Sequence, residues 1–155
     1  MRILAAVQAF DGVTTDGLGL AAQGYQSDDA EDLLRMCRSD VAREAVAGTW
    51  ILKALLETGR ADGIRLEQAF DVLRSPPDWT VALHLLQSVR FARDAVAQAL
   101  IDPYLDDERT LLRVWALDAL VRVAPDAARA RVDAALHDTA ASMRARARAL
   151  SAELA

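Results

Sequence analysis

A short motif near the C-terminal end of this chain occurs twice, opening at Asp107 and again at Asp138, and that duplication constrains the fold more than any other feature. Asp107-Glu-Arg-Thr-Leu-Leu112-Arg113-Val-Trp-Ala116 aligns without a gap on Asp138-Thr-Ala-Ala-Ser-Met143-Arg144-Ala-Arg-Ala147. Each copy opens on an aspartate and places an apolar residue, an arginine and an alanine at the same offsets. Asp78 precedes the first copy by nearly the same interval, and Asp40 stands somewhat further back. A unit recurring at a period of roughly 30–40 residues is the mark of stacked helical pairs that share one continuous core.

The local pattern supplies the helices such a stack needs. Apolar spacing predicts helices over 28–38, 41–58, 64–74, 79–89, 92–101, 108–124, 126–136 and 140–154. Asp28-Asp29-Ala30-Glu31 reads as a capping box, with Asp28 accepting an amide and Glu31 reaching back. Gly59 suits a left-handed residue just past a helix end. The segment Ser75-Pro76-Pro77-Asp78 closes the third helix, because proline disfavours helical geometry in the residue before it. The 32 alanines and 22 leucines reinforce this reading, since both favour helix. No stretch after residue 28 alternates with period two, so a sheet is not expected there. The first 26 residues hold four of the seven glycines, and Met1 to Phe10 reads as either a helix or a strand, helix being favoured because everything after it is helical.

On the duplicated residues the chain resembles the HEAT-repeat family, in particular the short repeats also seen in phycobilisome-lyase-type proteins. Their inner helix follows Asp-x4-apolar-Arg-x2-Ala-x2-Ala/Leu, which 105–154 matches well and 28–104 only weakly. Val46 and His84 stand where the arginine should be. The resemblance implies an all-α fold: a short, right-handed α-solenoid of four to five hairpins in one domain, 1–155. The hairpins would be 28–60, 63–91, 92–124 and 126–154, with 1–26 as an atypical N-terminal cap. It also implies structural roles for Asp107, Arg113, Asp138 and Arg144, the aspartates capping turn amides and the arginines forming a ladder to the next repeat.

The same resemblance places a concave surface at fixed offsets from each turn aspartate. From Asp107 these are Leu111, Val114, Trp115, Asp118 and Arg122; from Asp78 they are Ala82, Leu85, Leu86, Val89 and Arg93. Leu85, Leu86, Val89, Leu111, Val114 and Trp115 would then form an exposed apolar strip, large enough to call for a cover. The expected covers are a partner helix, a second subunit as in a homodimer, or the segment Met1–Phe10 folded back; the alternative is a repeat register in error, which would make these residues ordinary core.

Little points to chemistry. His84 and His137 sit in different repeats, no short-spaced cluster resembles a metal site, and no phosphate-binding glycine loop or nucleophile elbow occurs. No metal or cofactor is expected. His84 reads as a satisfied, partly buried histidine and Cys37 as a small core residue. With one cysteine there is no internal disulfide, which fits a reducing, cytoplasmic setting. No apolar run reaches the ~18 residues of a membrane helix, so no membrane partner is expected. The net charge of −5 opposes nucleic-acid binding. The charge is uneven: residues 1–108 carry 10 basic and 18 acidic groups, residues 109–155 carry 8 and 5. The pairing of Trp50, Trp79 and Trp115 with Asp and Arg resembles the HEAT-like alkylpurine DNA glycosylases, which are larger and basic. The expectation is therefore a non-enzymatic, protein-binding scaffold. The alternative is an enzyme or nucleic-acid-processing subunit on the same scaffold, using the basic end at Arg129, Arg131, Arg144, Arg146 and Arg148.

Overall fold

The computed structural model describes residues 2–155, so Met1 of the expected N-terminal helix lies outside the described residues. Among them there are ten α-helices and no strand. They are α1 (Arg2–Ala9), α2 (Asp16–Gln23), α3 (Ala30–Cys37), α4 (Ala42–Glu57), α5 (Leu66–Phe70), α6 (Trp79–Ser88), α7 (Gln98–Ile101), α8 (Thr110–Val123), α9 (Pro125–Ala135) and α10 (Ala141–Leu154). Packing follows the chain. α2 lies against α4, α4 against α6, α6 against α8 and α8 against α10, while α1 meets α3, α3 meets α5 and α9 closes on both α8 and α10. One continuous apolar cluster, from Ile3 to Leu150, runs the length of this array.

The turns that start α4, α8 and α10 share one geometry. Asp107 accepts the amide of Arg109 at 2.8 Å and Asp138 accepts that of Ala140 at 2.8 Å, each on the third position before its helix begins. The equivalent residue before α4 is Ser39, not Asp40: its hydroxyl accepts the Val41 amide at 3.1 Å. Before α6 it is Pro76, which has no side chain able to cap, and Asp78 two positions later accepts the Thr80 amide at 2.7 Å instead. The register of the repeat therefore runs through Ser39, Pro76, Asp107 and Asp138, and not through four aspartates. A slip of two positions in register turns a helix by about 200°.

Close approach replaces this chemistry in the first half of the chain. A Cβ on Gly48 of α4 would lie 2.7 Å from the Cys37 amide nitrogen, so only glycine lets α4 touch the end of α3 so closely. Gly59 (φ +68°) ends α4 in a Schellman motif, with Arg60 N–H on the Leu55 carbonyl and Gly59 N–H on that of Leu56. The Arg60 guanidinium then donates to the carbonyls of Ala22, Gln23 and Tyr25, capping the C-terminal end of α2. Burial pushes the Cys37 thiol up to about 12, an inert core residue.

Two local expectations change. The capping box before α3 uses Gln26 and Asp29, two positions earlier than Asp28 and Glu31. The helix expected over 92–101 is broken: two 3₁₀ turns (Val89–Phe91 and Arg93–Ala95) lead through extended Val96 and Ala97 to the short α7. Only Ala92 and Ala95 are apolar in its opening turn, too little surface to hold a helix on the core.

Candidate functional site

Most of the expected surface residues do not face water. Leu85, Leu86 and Val89 are completely buried in α6 and the turn after it, and Val114 is buried in α8. The expected apolar strip does not exist as a groove. Counting from Pro76 instead of Asp78 moves the expected set in this unit to Thr80, Leu83, His84, Gln87 and Phe91, of which only His84 is buried. Leu85, Leu86 and Val89 therefore point at the core, sandwiched as α6 is between α4 and α8. The N-terminal helix is not their cover, for α1 packs on α2, α3 and α4. Leu111 is 45% exposed at the start of α8, and Trp79, 40% exposed, stacks under Arg109 at 4.8 Å.

Trp115, Asp118 and Arg122 come together with two residues the sequence did not single out as their partners, Arg146 and Glu153. Offsets of three and four positions set Trp115, Asp118 and Arg122 on one side of α8. α10 runs alongside, with Arg113 near Asp138 (4.0 Å) at one end, Arg146 near Asp118 in the middle and Arg122 on Glu153 at the other. The Asp118 carboxylate is fully buried. Its Oδ1 accepts from Arg122 at 3.3 Å and from Arg146 at 3.5 Å, whereas Oδ2 has no hydrogen-bond partner; neither does Nε of Arg122. Arg146 also lies over the Trp115 ring, 4.5 Å from its centroid.

Electrostatics favours the charged forms of Glu153 and Arg122. Hydrogen bonding from Arg122, aided by Arg90 and Arg146, holds the Glu153 carboxyl below its ordinary value. Burial opposes the charge on Arg122, but the Glu153 and Asp118 carboxylates outweigh it and raise its pKa. A buried carboxylate oxygen left without a donor costs on the order of 1–3 kcal/mol, so its retention calls for an explanation.

The residues of the expected ladder bind mainly within their own turns. Arg113 donates to the carbonyls of Asp107 (2.9 Å) and Glu108 and to the Thr110 hydroxyl, and Arg144 donates to those of Asp138 (2.8 Å) and Thr139. Among these four residues, the pair of Arg113 with Asp138, at 4.0 Å, joins one unit to the next.

His84 occupies the same register place in α6 as Arg146 does in α10, on the eighth position after the turn residue. It meets the Thr49 hydroxyl of α4 at 3.0 Å, and burial together with the Lys53 charge pushes its pKa down to about 4. Among the described residues no group of His, Cys, Asp or Glu could hold a metal ion, and no helix is long and apolar enough to cross a membrane. Comparison with protein-family models, with curated proteins and with solved structures finds no match to this chain.

Proposed function

We propose that the chain is a short, right-handed HEAT-like solenoid that acts as a non-enzymatic, cytoplasmic protein-binding module, its contact surface centred on the junction of α8 and α10. The observation that carries this reading is the cluster of Trp115, Arg122, Arg146 and Glu153 on one partly exposed face. Tryptophan and arginine are the side chains that most often anchor protein interfaces. The repeated turns and the serial packing of the even-numbered helices support the solenoid. The partner surface is mainly polar and aromatic, since Leu85, Leu86, Val89 and Val114, expected to line it, are core. The test is capture by the immobilised chain compared across folded variants. A partner retained by wild type and by Leu20→Asp, a change at a 69% exposed leucine of α2, but lost by Trp115→Asp, supports the reading; equal retention by Trp115→Asp overturns it.

One observation favours the second reading, an enzyme or nucleic-acid-processing subunit: a buried aspartate with a free carboxylate oxygen sits beside a tryptophan and an arginine. A thermal shift with oligonucleotides that disappears in an Arg144→Ala/Arg146→Ala variant would replace the first reading with this one.

A further inference from the structure

The Asp118 carboxylate and the Trp115 ring form a site of defined chemistry, and Arg146 fills it imperfectly. An aromatic face attracts a planar delocalised cation, and a carboxylate edge takes two parallel N–H bonds from one guanidinium. Arg146 satisfies the first requirement, at 4.5 Å from the ring centroid, and barely the second: a single bond to Oδ1 at 3.5 Å, the outer limit of a hydrogen bond. Oδ2 accepts nothing, and Arg122 reaches only Oδ1. The Arg146 side chain is 28% exposed, so it has a way out to water, whereas Asp118 is fully enclosed beneath it. Should it leave, Arg146 lies close enough to Glu153 for the two charges to interact.

We infer that Trp115 and Asp118 form a receptor for an arginine side chain of a protein partner, with Arg146 holding the place in the free protein as a removable internal plug. A partner guanidinium entering over Trp115 lies flat on the ring and donates to both oxygens of Asp118, making the bond to Oδ2 that Arg146 leaves unmade. The charge favours a cationic guest, because displacement of Arg146 removes one of the two cations that neutralise the buried carboxylate. This inference rests on the protein-binding reading and specifies what that surface recognises.

The experiment uses N-acetyl-arginine methylamide as probe, with the lysine and citrulline analogues as controls. The readout is the Trp115 indole N–H resonance, assigned through Trp115→Phe. Arg146→Ala should bind the arginine probe about tenfold or more tighter than wild type. It should also prefer arginine to lysine and ignore citrulline, and an added Asp118→Asn should abolish the effect. Equal affinities in wild type and Arg146→Ala, equal response to the three probes, or persistence in Asp118→Asn would overturn the inference. Arg146→Gln, which retains side-chain bulk, is the second variant. If both Arg146 variants fail to fold, the residue is a strut rather than a plug and the inference also fails. None of these outcomes touches partner capture through Trp115, so the failure of this inference and of the protein-binding reading are separable.

Discussion

The junction of α4 with α6 and the junction of α8 with α10 occupy corresponding places in the helix array, yet they are built from opposite chemistry. In the first, Thr49 meets a His84 held neutral by burial, and both polar groups have partners. In the second, the corresponding position carries Arg146, facing a buried aspartate, a tryptophan and a second arginine, with one carboxylate oxygen and one guanidinium nitrogen unpaired. The first junction is what stability alone selects: small, neutral and saturated. The second bears a desolvation cost that its own hydrogen bonds do not offset. Each junction pairs two successive even-numbered helices, so the contrast lies in the side chains, and under the proposed protein-binding reading it makes the second junction the recognition surface.

The comparison can be broken most forcefully at Leu85. Replacing this fully buried α6 side chain with alanine should cost about 2–5 kcal/mol in denaturant unfolding. The exposed Leu111→Ala should stay within about 0.5 kcal/mol. Equal and small effects would restore Leu85 to the surface and undo the register argument.

The neutral junction should also announce itself in pH. His84 has its native pKa pushed down to about 4, against an ordinary value of 6.5. Between those values the unfolded chain binds the extra proton, so stability falls as pH drops from 6.5 and levels off below about 4. The loss is up to about 3 kcal/mol. His84→Gln should flatten that part of the profile in chemical denaturation across pH, and a profile unchanged by the substitution would remove the histidine from the account.

Smaller effects sharpen the turns. Asp138→Ala removes a side-chain bond to the Ala140 amide and should cost about 1 kcal/mol, with Ser39→Ala similar or smaller. If Ser39→Ala is silent while Asp40→Ala is not, the repeat register before α4 is the one suggested by aspartate spacing and not the one described above.

The same pair of turns shows what the sequence could reveal. Asp107 with Arg113, and Asp138 with Arg144, are legible because every bond they make at short range stays within one turn and the start of its helix. The turns at Ser39 and Pro76 do the same geometric task with a hydroxyl and with a proline backed by Asp78, so residue identity misaligned them by one and two positions. That slip placed Leu85, Leu86 and Val89 in a groove. Trp115, Asp118 and Arg122 were identifiable as one helix face, because helical offsets are local. Their partners Arg146 and Glu153 lie a full repeat further along the chain, and only tertiary packing brings them in. Read alone, Arg146 is one arginine in the basic end. Gly48 and Arg60 were equally silent, since a close approach of α3 and the open carbonyls of α2 leave no local pattern.

The most direct test of the central claim, that Asp118 is kept for recognition at a cost to stability, is the melting temperature of Asp118→Leu measured beside its partner binding. Leucine keeps the branched shape of aspartate and removes the unpaired Oδ2, while Arg122 keeps Glu153 as its charge partner and Arg146 keeps its way out to water, so no cation is left buried and unpaired. The account predicts a melting temperature equal to or above that of wild type, together with loss of partner binding. A variant that melts well below wild type while still binding its partner would contradict it.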